Sequence, residues 1–386
     1  MMNPTVYLDN AATTAPDPVV LEVMARTARD YPGNASSLHS QGARARGLLE
    51  ECRDTLCSLI GAKQGEVVFT GSGTESNNLA LKGVALANNR RGNQILVSAL
   101  EHDCILETAK WLEELGFRVT RIPVDSQGIL DPESVIQAVT PATFLVSVMH
   151  VNNEIGTVQP VAAIGRICRE RNILFHSDAC QSFGKIAVDV EEMNVDLLTV
   201  NAHKLHGPKG AGALYVRSGV SLTPLLHGGG QEAGMRSSTE NLAGIAGFIR
   251  AAGLAVEGLG EESKRLRGLQ QHLIMELSDK IAGIYFNGSL AHRVPHNLNF
   301  CIEGLEGEGI RLQLLLDDEG ICVSTGSACS SNHGNNPSHV LQAIGLNPLQ
   351  ARGGIRVSFG RFTTHAEISR FIDVLEEKVA LLNPIF

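Results

Sequence analysis

Five short apolar runs recur between residues 60 and 220: Val67–Thr70, Gln94–Ser98, Thr143–Met149, Ile173–His176 and Leu197–Val200. Amphipathic stretches separate them, and no internal repeat or low-complexity tract interrupts the alternation. Runs of this length read as buried strands joined by crossover helices, so the pattern predicts an α/β fold with a mainly parallel sheet. Helices are expected at about 74–88, 103–115 and 160–171. Each run stops at a polar cluster. Gly71–Asn78 follows the first, Glu101–Asp103 the second, His150–Glu154 the third, Asp178–Gln181 the fourth and Asn201–Lys204 the fifth. Carboxyl ends of parallel strands share one edge, where open α/β sheets bind ligands, so five clusters distant in sequence are predicted to meet at one site.

Length and composition narrow the possibilities. A chain of 386 residues is long enough for two domains, and 43% hydrophobic residues with 40 glycines suit a well-filled α/β core with many tight turns. A net charge of −9 without a basic run argues against a nucleic-acid surface. No stretch combines a basic start with a long apolar segment, and no window approaches 18 apolar residues, so the expected location is the cytoplasm. The eight cysteines lack CxxC spacing and read as thiols. Cys322, Cys329 and His333 match no common zinc pattern, so no metal is expected.

The clusters carry recognisable chemistry. Lys204 lies between His203 and Leu205-His206, directly after a strand and before the turn Gly207-Pro208-Lys209-Gly210. Burial favours the neutral, nucleophilic amine of a lysine, which makes Lys204 a candidate imine-forming residue. The glycine-rich segment Gly71–Thr74 opens a helix, whose free N–H groups and dipole favour an anion such as phosphate, although capping by Ser72 or Thr74 would explain the same residues. The segment is neither GxGxxG nor a Walker motif, which speaks against dinucleotide and nucleoside triphosphate sites. Asp178 ends an apolar strand, and a carboxylate there needs a cationic partner. A protonated pyridine nitrogen would serve, and His102, at another strand end, is placed to stack on such a ring. Phosphate cradle, pairing aspartate and imine lysine together are what pyridoxal phosphate requires of a protein.

Seven motifs, in order along nearly the whole chain, resemble the cysteine desulfurases of the iron–sulfur-cluster and nitrogen-fixation type, within the class-V aminotransferase-like enzymes. They are Tyr7-Leu8-Asp9-Asn10-Ala11-Ala12-Thr13-Thr14, the segment Phe69–Asn77, the segment Met149–Gly156, His203-Lys204, Gly234-Met235-Arg236-Ser237, Ser327-Ala328-Cys329 and Ile355-Arg356-Val357-Ser358. The resemblance implies the aspartate-aminotransferase type of fold. A large domain is expected over 15–255, and a small α+β domain over 1–14 and 256–386, linked by an amphipathic helix at about 259–281. It further implies that Lys204 bonds pyridoxal phosphate and later moves the substrate Cα proton. Gly73, Thr74, Asn201 and His203 would hold the phosphate, Asp178 would pair the pyridinium, Gln181 would bond the ring hydroxyl oxygen and His102 would stack. Asn153, Arg356 and Asn10 would bind the substrate. Thr239 would reach the phosphate of a neighbouring subunit, which implies a homodimer.

The same resemblance makes Cys329 the second catalytic residue. Its surroundings, roughly 324–337, are small and polar, as suits a loop that swings a thiol inward. The implied reaction converts L-cysteine to L-alanine and leaves sulfur on Cys329 as a persulfide, for a scaffold protein of iron–sulfur assembly or another thiol acceptor, with any iron–sulfur contact of Cys329 transient. Asn201 stands where the family usually has serine, and Cys180 where it has a small non-thiol residue. Two other readings remain: another pyridoxal-phosphate enzyme, such as a selenocysteine lyase or aminotransferase, which would not need Cys329, and a sulfur-carrying or docking protein without catalysis. A colourless purified protein would favour the last.

Overall fold

The computed structural model describes residues 5–87, 92–325 and 336–382. The chain begins with a short strand, β1 (Val6–Tyr7), and two helices, α1 (Pro18–Asp30) and α2 (Ser40–Leu59). Asp17 caps α1 by accepting from the Val19 N–H, with Pro18 at the first helical position, where a missing N–H costs nothing. There follow β2 (Val67–Thr70), α3 (Gly73–Ala87), β3 (Gln94–Ser98), α4 (Asp103–Glu114), β4 (Arg118–Ile122), α5 (Pro132–Ala138), β5 (Thr143–Ser147), α6 (Val161–Glu170), β6 (Leu174–Asp178), β7 (Leu197–Asn201) and β8 (Gly212–Val216); the five apolar runs are β2, β3, β5, β6 and β7, whereas β4, α5 and β8 are not among the expected elements.

These strands form one seven-stranded sheet in the order β2-β8-β7-β6-β5-β3-β4. The pairs from β7 through β4 are parallel, whereas β8 runs antiparallel to both β7 and β2. Two successive reversals restore the direction, so β2 points the same way as the parallel strands and its carboxyl end reaches the shared edge. The sheet is buried on both faces. Phe69, Val146, Phe175 and Leu198 pack on one side with Leu56 of α2, while their neighbours Val68, Leu145 and Leu197 pack on the other with Leu79 of α3 and Leu112 of α4. Period-two alternation with apolar residues on both faces is why these strands read as unbroken apolar runs.

Two helices follow, α7 (Leu242–Glu257) and α8 (Leu259–Lys280). The buried positions Leu266, Leu269, Leu273 and Leu277 of α8 recur at three- and four-residue spacing and face a second core. That core belongs to a four-stranded antiparallel sheet of order β12-β13-β10-β9. Its elements are β9 (Ile284–Asn287), β10 (Asn297–Ile302), α9 (Gly309–Asp318), β11 (Ile321–Cys322), β12 (Ser324–Thr325), α10 (His339–Ala343), α11 (Pro348–Arg352), β13 (Ile355–Ser358) and α12 (His365–Leu382). β1 joins this part by pairing with β11, and its Val6 and the following Leu8 enter the second core. No single helix among the described residues is long and apolar enough to cross a membrane.

Candidate active site

At the carboxyl edge of the large sheet lies a cavity of about 190 Å³ whose wall takes residues from all five strand-end clusters. Gly73 and Thr74 come from the start of α3, His102 from the end of β3, Asn153 from beyond β5, Asp178 and Gln181 from the end of β6, and Asn201, His203 and Lys204 from the end of β7. A larger hollow of about 790 Å³, between the Pro123–Pro132 segment and Val158–Pro160, carries Asp125, Asp131 and His292 but no member of the clusters. Convergent chemistry, rather than volume, identifies the smaller cavity as the site.

The start of α3 satisfies both sequence readings at once. Ser72 Oγ accepts from the Glu75 N–H at 3.1 Å, and Glu75 Oε2 accepts from the Gly71 N–H at 2.7 Å, so the helix is capped. The N–H groups of Gly73 and Thr74, in the first turn, have no intrahelical partner by the geometry of an α-helix and remain donors at the cavity wall. A Cβ at position 73 would lie 2.7 Å from Cys180 Sγ, and one at 212 would lie 2.9 Å from the Ser72 carbonyl carbon. Glycine at 73 makes room for the Cys180 and Asn201 side chains, and glycine at 212 lets backbone approach backbone. Across the wall, the buried Asn201 has its Oδ1 without a partner among the described residues.

Asp178 is 6% exposed at the last position of β6. Its Oδ2 accepts from Asn77 Nδ2 at 2.7 Å and its Oδ1 from the Cys180 N–H at 2.9 Å. Burial pushes its carboxyl up, but the bonds from Cys180 and Asn77 and the charge of Lys204 outweigh it, so the group stays below the usual carboxylate range. His102 caps α4: its Nδ1 accepts from the Cys104 N–H at 3.1 Å, which leaves the proton of the neutral ring on Nε2. Burial, then the nearby Lys204, hold this imidazole below its ordinary value. The two thiols in the wall are inert by the same physics, since burial pushes Cys104 up to about 12 and raises Cys180 well above a normal thiol.

Lys204 is half-buried rather than sealed in the core as its strand-end position predicts, because it sits in the turn after β7 and borders two cavities. Its backbone is pinned on both sides. The His203 carbonyl accepts from the Thr14 N–H and Oγ1 at 2.8 and 2.9 Å, and the His206 N–H donates to Thr14 Oγ1 at 2.8 Å. His206 takes a left-handed φ of 63°, which turns the chain back beneath the lysine. His203 Nδ1 meets Thr13 Oγ1 at 3.2 Å, and burial followed by the Lys204 charge pushes its imidazole down to about 4.

Three expected residues stand outside the cavity wall. Arg356, 1% exposed on β13, donates through Nη1 to the Asn153 carbonyl at 3.1 Å and through Nη2 to Asp9 Oδ1 at 2.7 Å, leaving Nε without a partner among the described residues. It therefore stands one layer behind Asn153. The Asn10 amide, expected beside the substrate, is instead directed to backbone, donating to the carbonyls of Ser358 and Tyr7 at 2.9 and 3.2 Å. Those bonds, both from Nδ2, tie the N-terminal segment to β13. Thr239 is exposed on the loop before α7. Cys329 and His333 lie outside the described residues.

Several groups at the site carry no role that the sequence announces. Asn77 lies inside the first polar cluster, Asp9 inside the first motif, and Lys185 four residues past Gln181, beyond the end of its cluster. Glu101 stands at its strand end with no task legible from its neighbours. It is fully buried, with Oε1 accepting from the Met149 N–H at 2.7 Å and Ser98 Oγ at 2.8 Å and Oε2 unpartnered among the described residues, so it couples the ends of β3 and β5. Burial pushes its carboxyl up to about 8 against those two bonds. Between the ordinary carboxylate pKa and about 8 the unfolded chain loses this proton while the native state keeps it, so stability falls as pH rises through that window. Glu101→Gln is expected to flatten the decline in melting temperature between about pH 5 and 8, a change worth a few kcal/mol in order of magnitude; an unchanged slope would show that Glu101 is ionised in the native protein.

Comparison with known proteins agrees with the geometry. The family model for class-V aminotransferases matches residues 6–371. The chain is 45% identical to the cysteine desulfurase IscS of Dictyoglomus turgidum, over 99% of this chain and 97% of that one. Among solved structures, a NifS-like protein superimposes with a TM-score of 0.91 at 39% identity, covering 98% of this chain and 100% of that one. A structure described as SspA in complex with cysteine gives 0.82 at 37%, covering 93% and 100%. With full-length matches of this kind to a cavity built from five strand ends, the chain belongs to the class-V aminotransferase family, in its cysteine desulfurase group.

Proposed function

We propose that this protein is a pyridoxal-phosphate-dependent cysteine desulfurase that converts L-cysteine to L-alanine and retains the sulfur on Cys329. The observation that carries the reading is the meeting, in one 190 Å³ cavity, of Lys204 with a buried Asp178 kept anionic by its donors. The residues present fit the cofactor. The N–H groups of Gly73 and Thr74 at the start of α3 offer donors for a phosphate, and Asn201, beside Gly73, offers its amide. Asp178 would face the ring nitrogen, Gln181 its hydroxyl oxygen and His102 the ring face. Bound pyridoxal phosphate supplies an electron sink for bonds breaking at the substrate α- and β-carbons.

The chain's own residues do the rest. Lys204 would hold the cofactor covalently and then carry a proton at the substrate Cα. Asn153, with Arg356 behind it, would receive the substrate carboxylate, for which the guanidinium gives planar recognition. The Cys329 thiolate would attack the substrate sulfur: an S–S bond forms, the Cβ–S bond breaks and Cβ gains a proton, giving L-alanine and a Cys329 persulfide. The relative solved with cysteine supports the substrate assignment. Thr239, exposed on its own subunit, supports a homodimer in which it reaches the partner's phosphate. The C-terminal core, distinct from the two cores that flank the large sheet, supports a large domain over 15–255 and a small one formed by 1–14 and 256–386, with Leu100, Met149 and Ile155 packing against Val340, Leu341 and Ile344 between them. Free thiols throughout the described residues fit work in the cytoplasm, with a scaffold protein of iron–sulfur assembly or another thiol as acceptor.

Adding pyridoxal phosphate to the purified protein is expected to produce a visible absorption band that borohydride fixes irreversibly, with mass mapping placing the adduct on Lys204. An adduct on another lysine, or no band, would overturn the assignment.

A further inference from the structure

Lys185 is a half-buried amine without an acidic partner among the described residues. It sits in the turn that follows β6, where its N–H donates to the Ser182 carbonyl at 2.9 Å, and its Nζ lies 3.3 Å from Gln181 Oε1 and 3.2 Å from His296 Nε2. No carboxylate makes an ion pair with it among the described residues. Burial first, then repulsion from Lys204, push its amine down to about 7. A group held at such cost, with its ammonium beside the cavity wall, calls for a task.

We propose that Lys185 is a positioning residue: it fixes the Gln181 amide with its oxygen turned away from the cavity and one N–H turned toward it, and His296 holds Lys185 in place. In its charged form Lys185 has three donors and no acceptor, so both of its neighbours then present lone pairs. Gln181 does so through Oε1. Its Nε2 donates to the Ala11 carbonyl at 2.8 Å, and the second N–H of that nitrogen is left for the cavity that Gln181 lines. The flipped amide would set an NH₂ group against the ammonium and the amide oxygen against the Ala11 carbonyl, so two contacts select one orientation. His296 is 1% exposed, and burial keeps its imidazole neutral; with the lysine charged, Nε2 accepts from the ammonium and the ring proton sits on Nδ1, which has no partner among the described residues. The chain His296–Lys185–Gln181 thus ends in a single N–H aimed at the position of the cofactor's ring oxygen. The inference rests on the reading that pyridoxal phosphate occupies this cavity.

The test uses purified full-length protein, stripped of cofactor and titrated with pyridoxal phosphate, reading the visible band and the Kd for Gln181→Leu, Lys185→Met, the double variant and Lys185→Arg. Losing one hydrogen bond should weaken cofactor binding by about three- to tenfold, so Gln181→Leu and Lys185→Met should each show that loss with a band shift in the same direction. The double variant should be no worse than Gln181→Leu alone, and Lys185→Arg, which keeps a donor, should stay at the wild-type band. Removing a half-buried amine that lacks an acid should not lower the melting temperature, which separates positioning from support of the fold. Additive losses in the double variant, or a Lys185→Met protein that matches wild type while Gln181→Leu shifts, would overturn the proposal. A Gln181→Leu protein with unmoved band and Kd would overturn it together with the assignment of Gln181, and failure of the wild-type protein to bind would do so through the cofactor reading itself.

Discussion

Lys204→Ala is expected to lower L-alanine formation from L-cysteine by at least about 10³-fold while leaving the melting temperature of the cofactor-free protein within a degree or two of wild type, since surface-like truncations cost little. Both halves follow from its place in the turn after β7. Lys204 is half-buried and borders cavities, so truncation removes side-chain volume from open space and not from packed core. The backbone around it is held by Thr14 through bonds to His203 and His206, which the substitution leaves alone. The loss is therefore chemical. Lys185 does not substitute for it, because its Nζ is directed at Gln181 and His296. Cofactor binding should weaken but persist through Asp178 and the start of α3. An alanine variant that keeps more than about a tenth of wild-type activity would show that Lys204 carries neither the covalent link nor the proton, because proton transfer alone is worth about 10²–10⁴-fold.

Arg356→Ala should raise the KM for L-cysteine about 10²-fold and also destabilise the fold by about 3 kcal/mol, the lower part of the range for breaking a buried pair. The guanidinium bridges Asp9 Oδ1 and the Asn153 carbonyl, joining the N-terminal segment, the loop after β5 and strand β13. Asp9 is left without its partner by the substitution, but its side chain is about 20% exposed and water relieves part of the cost. A carboxylate arriving at Asn153 finds an arginine already oriented by two fixed acceptors, with Nε still to be satisfied. Arg356→Lys is not expected to retain binding, because one ammonium cannot reproduce that planar fork. Steady-state kinetics at several cysteine concentrations, beside a denaturant melt, separate the two effects; an unchanged KM with lowered stability would confine Arg356 to holding the fold together.

Much of this site is legible in the sequence because parallel strands deliver their carboxyl ends to one edge. Gly73, His102, Asp178 and Lys204 belong to four clusters spread over more than a hundred residues, and topology alone brings them into one wall. What escapes such a reading has physical reasons. β8 is absent from the expected sheet because Gly212–Val216 follows directly on the glycine-rich turn, and its antiparallel course is fixed by pairing with β7 and β2, not by its own pattern. The Asp9–Arg356 pair joins residues 347 positions apart, a separation that no local periodicity reports. Asn10 lies in the first motif, and its amide Nδ2 donates to two backbone carbonyls, one of them 348 positions away, which no local pattern reports. Lys185 is invisible to pattern because its value lies in one amide orientation, set by contacts to Gln181 and to His296 in a distant segment.

The central claim, transfer of sulfur from L-cysteine to Cys329 at this pyridoxal-phosphate site, is tested most directly by measuring alanine and sulfide together. The cofactor-loaded protein is given L-cysteine with a thiol reductant, beside Cys329→Ala loaded in the same way. Equal amounts of alanine and sulfide from the wild-type protein, both lost in the variant while its visible cofactor band persists, are the predicted result. Alanine and sulfide formed undiminished by the Cys329→Ala protein would contradict it, and would point to a pyridoxal-phosphate reaction that needs no enzyme thiol.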